Sequence, residues 1–409
     1  MRKGYLSEYF EGVSVKTLTP TEVDPAVSRG HELQGVDDFR AFLGTPEEKV
    51  YLPTSYFWLG DDELPLRVER TATWYDSRKG QKKRSAEYRL YYPAAVNEVA
   101  RRARPGDTLF LCKQKAGDLM AIFCASGSSI EQQLLWLFDL SLTHGDSLEQ
   151  VDLRETDGRS LDLVARELLE LFGIEVIVTK DEWLNRLLRA FGPAFPTTER
   201  FSAFTRKAVK DVDPVADPDA ALIRWMEMEE RLFRTLEKHL VEEYLKAQFA
   251  AGNTDADDFL QFSLSVHGTR KSRAGFALGN HVEAILKANS VTYKREAETE
   301  KRKGPDFLFP SEDLYRTEPA GSDRLIMLAA KRTCKDRWRQ VLAEADKIPF
   351  KHLLTLQPGI SVAQTTEMQK FKLQLVVPSP IHATYKPAQQ SWLLSVSNFL
   401  ELVRSRSVA

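Results

Sequence analysis

The sequence has three cysteines in 409 residues, Cys112, Cys124 and Cys334, an odd count with no Cys-x-x-Cys spacing. That excludes a disulfide framework and offers no cysteine zinc site. Its seven histidines are scattered, without His-x-His or His-Glu-x-x-His clustering, so zinc-based hydrolysis finds no ligand set. No run of 18 apolar residues occurs: the most apolar stretch, 134–142, is interrupted by Asp139, and no membrane-spanning helix is expected. The opening Met1-Arg2-Lys3-Gly4-Tyr5 lacks the apolar core of a signal peptide, which makes a cytoplasmic protein the expectation. No Gly-x-x-x-x-Gly-Lys-Ser/Thr loop is present, which leaves out nucleotide-driven motors. An excess of one charge is also lacking. The 57 Lys and Arg against 59 Asp and Glu give −2, a balance that on its face speaks against a polyanion as partner.

What the sequence does contain is charge sorted by position. Residues 67–104 carry eleven basic and four acidic side chains, residues 269–303 nine and four, and residues 331–340 five and one. These windows sum to +16 and leave −18 elsewhere, much of it in 146–182 and 211–243. In the first window basic residues interleave with aromatics, from Trp74-Tyr75-Asp76-Ser77-Arg78-Lys79 through Lys82-Lys83-Arg84 to Arg89 and Tyr91-Tyr92. That mixture suits phosphate contact and base-edge readout. A single such run is equally a solvated hairpin. Three runs in two halves of the chain point to a polyanion. Arg270, Lys271 and Arg273 precede an expected helix, where positive charge is unfavourable, so they too are expected to contact phosphate.

A chain of this length exceeds what one core usually supports, so two or three domains are expected. Residues 1–140 read as short strands (51–52, 67–74, 88–92, 108–112, 120–124) between Gly, Pro and Asp turns, with a hairpin arm between Gly106-Asp107 and Gly117-Asp118. A helix over 161–172 and a strand over 176–178 follow. Pro193, Pro196, Pro214 and Pro218 with Gly192 form the densest cluster of chain breakers. An N-terminal domain over 1–192, a linker over 193–218 and a second domain over 219–409 are therefore expected. Beyond the linker, helices (220–250, 275–288, 335–347, 361–371) and strands (306–309, 325–330, 352–356, 373–377) alternate, which argues for an α/β domain.

Chemistry concentrates in that second half. Gly304-Pro305-Asp306-Phe307-Leu308-Phe309 puts a carboxylate at the start of an apolar strand, and Lys331 closes the next apolar strand, 325–330. A carboxylate and a lysine at neighbouring strand ends suit metal-dependent phosphodiester hydrolysis. The spacing is of the PD-(D/E)XK kind, except that Ala329 stands where an acid is usual. Glu344 is placed by the spacing on the following helix, flanking a stripe of Trp338, Val341, Ala345 and Ile348, from where it would reach back. Lys335-Asp336-Arg337 crowds the same place: Lys and Arg can bond guanine O6 and N7, and Asp can accept from cytosine, so the trio suits C:G pairs.

Several blocks together resemble the EcoRII-type restriction endonucleases. They are Thr269-Arg270-Lys271-Ser272-Arg273-Ala274-Gly275, Lys303 to Ser311 with Tyr315, Lys331 to Gln340, Ala343-Glu344-Ala345-Asp346-Lys347-Ile348, and Leu354-Thr355-Leu356-Gln357 with Gly359, Ser361 and Gln364. Nearer the N-terminus, Gly30-His31-Glu32-Leu33-Gln34-Gly35 and Tyr75-Asp76-Ser77-Arg78 resemble the two DNA-gripping arms of that family's effector domain. The resemblance implies a two-domain protein. A mainly-β, B3-like pseudobarrel would precede a restriction-endonuclease-like α/β domain with a mixed central sheet flanked by helices. It implies a homodimeric type II enzyme, of the IIE kind, that cuts double-stranded DNA at CCWGG or a close relative with Mg²⁺, alongside a cognate DNA methyltransferase. Asp306, Lys331 and Glu344 match the catalytic positions, Tyr315 a tyrosine near them, and Lys335, Asp336 and Arg337 the CC:GG readers. Arg29, His31, Glu32, Gln34, Tyr75, Ser77, Arg78, Lys82, Lys83, Arg84 and Arg89 are the corresponding DNA contacts of the first domain. Where the family has a glutamate early in the helix, this chain has Gly279. Either Glu283, one turn later, joins Asp306 and Glu344 as a metal ligand, or second-metal binding is weakened. A catalytically inactive DNA-binding protein is the alternative reading.

Overall fold

The computed structural model describes residues 5–24, 26–28, 30–34, 39–40, 43–61, 63–80, 84–140, 149–153, 163–174, 183–250, 256–300, 304–334 and 337–407. The chain divides into two units, Met1–Ile174 with Gly359–Val362, and Glu175–Pro358 with Ala363–Ala409.

In the first unit the strands are β1 (Phe10–Thr17), β2 (Glu32–Gln34), β3 (Val50–Leu59), β4 (Leu66–Asp76), β5 (Tyr88–Tyr91), β6 (Thr108–Gln114), β7 (Leu119–Cys124) and β8 (Glu149–Asp152). They form an eight-stranded sheet in the order β2-β5-β4-β3-β7-β6-β1-β8. Among the described residues, only β3 and β7 run parallel. Among the described residues the sheet is open, with β2 and β8 at its two edges, so the expected pseudobarrel is met only as a mainly antiparallel sheet. Alternating side chains supply one core, in which Tyr56, Trp58, Ala72, Trp74, Leu109, Leu111 and Phe123 are buried. The expected hairpin arm is β6–β7, turned by Gly117 at φ 92°, a conformation glycine adopts freely. Helix α1 (Ser129–Phe138) starts where the Ser128 hydroxyl accepts from Glu131 N–H and the Asp61 carboxylate accepts from Ser129 and Ile130. Helix α2 covers Leu163–Leu171, inside the expected 161–172. The expected strand at 176–178 lies outside the described residues.

The second unit holds a five-stranded sheet and several helices. Its strands are β9 (Lys294–Arg295), β10 (Phe307–Phe309), β11 (Ile326–Ala330), β12 (Lys351–Leu354) and β13 (Leu373–Val376), in the order β13-β12-β11-β10-β9. β9, β10 and β11 are antiparallel, whereas β11, β12 and β13 are parallel. This is the mixed sheet expected of the second half. Its central strands are buried on both faces, which is why they read as continuous apolar runs.

Helices of this unit include α3 (Trp183–Phe191), α4 (Thr198–Ala208), α5 (Pro218–Ala250), α6 (Ala256–Ala288), α7 (Glu312–Thr317), α8 (Trp338–Val341), α9 (Val362–Lys370) and α10 (Val396–Ser407). Three of them correct the sequence reading. Residues 193–218 are not a bare linker, because they contain α4, whose Phe201 is buried with Leu187, Leu232, Phe233 and Leu236. The prolines stand outside that helix, where they break no helical hydrogen bond, and Thr197 caps it by accepting from Arg200 N–H. The fold division likewise falls after residue 174 rather than at 192. Second, the helix expected to begin at 275 begins at Ala256, so Arg270, Lys271 and Arg273 lie inside it rather than before it. Asp257 and Asp258 supply the acidic first turn, and Gly268, Gly275 and Gly279 are tolerated in its interior. Third, the helix expected over 335–347 is reduced to the single turn α8. No helix among the described residues is long and apolar enough to cross a membrane.

Candidate active site and basic surfaces

Strand ends build the site. Gly304 precedes Asp306 because any Cβ there would collide with the carbonyl oxygen of Ala297, so the chain passes this point only as glycine. Asp306 then enters β10, and its main-chain carbonyl accepts from Glu296 N–H at 3.0 Å. Next to it β11 ends at Ala330. Oδ2 of Asp306 accepts from Ala330 N–H at 2.7 Å and from Lys331 Nζ at 3.0 Å. The main chain of Lys331 is fixed in turn by donating to Leu354 O on β12 at 2.9 Å. Two residues 25 apart in sequence thus meet at adjacent strand ends, as the spacing predicted.

Glu344 completes the group from a turn rather than from a helix. Behind α8 the chain turns through Ala345 at φ 48°, and the Glu344 N–H donates to Val341 O. Burial raises the Glu344 carboxyl to about 7; Lys331 and Lys351 oppose that shift and Asp306 adds to it. Its Oε2 is buried with no hydrogen-bond partner. A buried carboxylate oxygen without a donor is costly. Asp306 and Glu344, two carboxylates that repel one another and are flanked by Lys331 and Lys351, make a donor set that fits a hard divalent cation. Among the described residues no group of three or more His, Cys, Asp or Glu is placed to hold a metal ion.

The third expected ligand is engaged elsewhere. Glu283 accepts from Tyr293 Oη at 2.8 Å and pairs with Arg295 at 2.6 Å and Lys287 at 3.0 Å, and those partners hold its carboxyl below the usual range against the effect of burial. The Arg295 guanidinium lies over Gly279, within 3.2 Å of where a Cβ would stand, and also donates to Asn280. An arginine therefore fills the space a side chain at 279 would take. Tyr315 is a supporting post: its hydroxyl donates to Glu300 at 2.5 Å and accepts from Lys347 N–H at 3.3 Å. It braces the turn that carries Glu344. Lys347 pins the same turn to the end of α7, donating to the carbonyls of Tyr315, Arg316 and Glu318.

The sequence reading missed Lys351. It opens β12 with 6% of its surface exposed, and its Nζ donates to the carbonyls of Glu344, Ala345 and Ile348. The one signal was a lysine at the head of an otherwise apolar strand, Lys351-His352-Leu353-Leu354. Arg332, next to Lys331, was also passed over; it pairs with Glu230 of α5 at 3.3 Å.

The expected DNA contacts fall into two groups. In the second unit Arg337 is exposed beside the site, while Lys335 and Asp336 lie outside the described residues. Arg270 is paired bidentately with Glu237 of α5, at 3.1 and 2.6 Å. Arg273 is 9% exposed, bonded to Pro196 O and surrounded by Phe195, Phe201 and Phe233, each ring 5.4 Å from its guanidinium carbon. That placement is at odds with a phosphate contact by Arg273, since a buried guanidinium in an aromatic cage is out of reach of a phosphate. The Lys271 side chain lies outside the described residues.

In the first unit β2, β5 and β4 bring Glu32, Tyr75 and Arg89 together. Glu32 pairs with Arg89 and accepts from the Tyr75 hydroxyl at 3.2 Å. Arg78 pairs with Glu87 at 2.8 Å, and Ser77 Oγ donates to the Glu87 carbonyl at 2.9 Å. His31 stacks on Tyr92 and contacts Asn97 at 3.1 Å. Arg84 is exposed; Arg29, Lys82 and Lys83, and the Gln34 side chain, lie outside the described residues.

The family described as EcoRII C terminal matches residues 233–400, which include Asp306, Lys331 and Glu344. The type II restriction enzyme EcoRII of Escherichia coli is 40% identical over 185 residues, a match that spans 45% of this chain and 45% of that enzyme. The chain therefore matches less than half the length of that relative. Among solved structures, metal-depleted Ecl18kI in complex with uncleaved, modified DNA is 16% identical with a TM-score of 0.45, covering 57% of this chain and 86% of that one. The same protein with uncleaved DNA gives the same identity and score over 56% of this chain. Over residues 233–400 the chain matches the family described as EcoRII C terminal, and over 185 residues it is similar to the EcoRII restriction enzyme.

Proposed function

We propose that this chain is a type II site-specific deoxyribonuclease of the EcoRII kind, hydrolysing phosphodiester bonds of double-stranded DNA at CCWGG or a close relative. The observation that carries the reading is the buried, unpartnered Oε2 of Glu344 beside the Asp306–Lys331 pair. Asp306 and Glu344 would hold Mg²⁺, which when bound supplies positive charge to the phosphate and acidifies water. The chain's own groups do the rest. Asp306 is held rigid by the Ala330 N–H, so its free oxygen has a fixed aim. Lys331 keeps its ammonium within 3.0 Å of that carboxylate, where it orients an attacking water and faces the scissile phosphate. Arg337, with Lys335 and Asp336, reads C:G pairs beside the cut.

A near-palindromic site calls for a two-fold arrangement, so a homodimer is the working assembly, each copy cutting one strand. The first unit is read as a B3-like effector domain of the IIE kind, its grip built on His31, Glu32, Tyr75, Ser77, Arg78, Arg84 and Arg89. A cognate methyltransferase would protect host DNA in the cytoplasm. The guanidinium of Arg295 over Gly279 favours one alternative, a weakened or inactive DNA-binding protein. Incubating the purified chain with unmethylated plasmid and Mg²⁺ and sequencing the ends decides between them. Cuts at CC-GG sites are expected, and Asp306→Ala or Lys331→Ala should abolish cutting while DNA binding persists. Cleavage at the wild-type rate in Asp306→Ala would sink the assignment.

A further inference from the structure

Glu344 has no helix under it, yet its carboxylate must be held to a fraction of an ångström if it is to share a cation with Asp306. The nearby main chain is held by a side chain. Carbonyl oxygens of Glu344, Ala345 and Ile348 converge on Lys351 Nζ, and an ammonium has three hydrogens to give. In a helix those carbonyls would take main-chain N–H groups four residues on; here, apart from the Ile348 N–H that donates to Ala345 O at 2.9 Å, one lysine takes their place. The arrangement is expensive. An ammonium at 6% exposure, with no carboxylate paired to it among the described residues, costs more than a methionine of similar length would in the same place. What gains from it is the turn and the Glu344 carboxylate the turn carries.

The strand that carries Lys351 ties the turn to the rest of the site. β12 receives the Lys331 N–H at Leu354 and pairs in parallel with β11, with Leu328 opposite His352 and Ala330 opposite Leu354. One end of this four-residue strand therefore fixes the lysine of the site and the other end fixes its glutamate. Lys351 and Lys331 also bear on the Glu344 carboxylate as positive charges, while Asp306 bears on it as a negative one.

We propose that Lys351 is a positioning residue of the cation site: by gathering the carbonyls of the 344–348 turn, it sets where Glu344 meets Asp306. The inference rests on the reading of Asp306, Lys331 and Glu344 as a cation-dependent nuclease site. Its test is calorimetric titration of the full chain with Mn²⁺ in the absence of DNA, for wild type, Lys351→Met, Lys351→Gln and Leu236→Ala. Leu236 is buried in the helical cluster around Phe201, so its truncation destabilises the same unit without touching the turn. Mn²⁺ affinity should fall about tenfold or more in the Lys351 variants, as for other residues that orient metal ligands. It should stay at the wild-type value in Leu236→Ala, and metal-free DNA affinity should be unchanged throughout. If Lys351→Met loses its cooperative thermal transition, Lys351→Gln, which keeps a donor at the site, decides by the same measure. A folded Lys351 variant with wild-type Mn²⁺ affinity overturns the proposal, as does an equal loss in Leu236→Ala. Both of those outcomes leave the nuclease reading standing. A wild-type chain that binds no Mn²⁺ removes both.

Discussion

Asp219 sits in the first turn of α5 with 2% of its surface exposed, and its carboxylate takes four donors. Oδ1 accepts from Ser379 N–H at 3.0 Å and Val396 N–H at 2.8 Å; Oδ2 accepts from Ser397 N–H at 2.9 Å and Ser397 Oγ at 2.7 Å. One side chain thereby caps α10 and ties it to the start of α5. Helix α10 in turn presses Phe399 against Phe309 and His352 of the sheet. In Asp219→Asn one oxygen keeps its two donors, while an NH₂ group replaces the other. The Ser397 hydroxyl can rotate to accept from it, but the Ser397 N–H cannot. A buried N–H left unpaired costs about 1–3 kcal/mol, and the surviving bonds lose part of their charge-assisted strength, so a loss of about 3 kcal/mol is expected. Asp219→Ala strands three main-chain N–H groups and should lose about 5 kcal/mol, a large part of the stability of one unit. Urea unfolding followed by circular dichroism reads the effect as a lower midpoint at unchanged slope. A shift below about 0.5 kcal/mol for Asp219→Asn would refute the argument, since that is the scale of an ordinary surface substitution.

Burial pushes the His352 imidazole, 1% exposed, down to about 4, against an ordinary value near 6.5. A group whose folded value is depressed binds its proton first in the unfolded chain, so its contribution is intact above about pH 6.5 and falls away toward pH 4, by up to about 3 kcal/mol. Unfolding midpoints measured across that window should decline less in His352→Phe than in wild type; parallel curves would remove His352 from the account. Gly304→Ala drives a methyl into the Ala297 carbonyl and should displace the entry to β10, cutting cleavage far more than DNA binding; normal turnover in this variant would contradict the steric argument. Arg337→Ala should relax sequence choice at a cost of about 1–3 kcal/mol for a lost bidentate base contact, and sequenced cut positions identical to those of wild type would dismiss it as a reader.

Much of the site could be read from residue order, because strand ends announce themselves. Asp306 follows a Gly-Pro and leads an apolar run, Lys331 ends another, and parallel or antiparallel pairing of such runs leaves little choice about where their ends meet. The placement of Glu344 near Asp306 and Lys331 was legible, but not what supports it. Trp338, Val341, Ala345 and Ile348 are all buried, as an amphipathic helix would have them, yet the chain turns instead at Ala345 with a positive φ. Apolar spacing reports which side chains go inward; it is silent on which groups satisfy the main chain, and here a lysine from the next strand does so. The basic block at 270–273 misled for a related reason. Charge along the chain shows how many cations there are, while their partners come from α5, more than thirty residues earlier.

Those partners change what the near-zero net charge means. Glu237 on Arg270 and Glu230 on Arg332 are counter-ions carried by the protein itself. A guanidinium that keeps its carboxylate presents little net charge to a polyanion, and so displaces few of the small cations condensed on it. On these two arginines the salt sensitivity of DNA binding would be set by whether helix α5 lets go. A slope of log affinity against log salt that steepens in Glu230→Gln and Glu237→Gln would measure how tightly the chain holds its own ions.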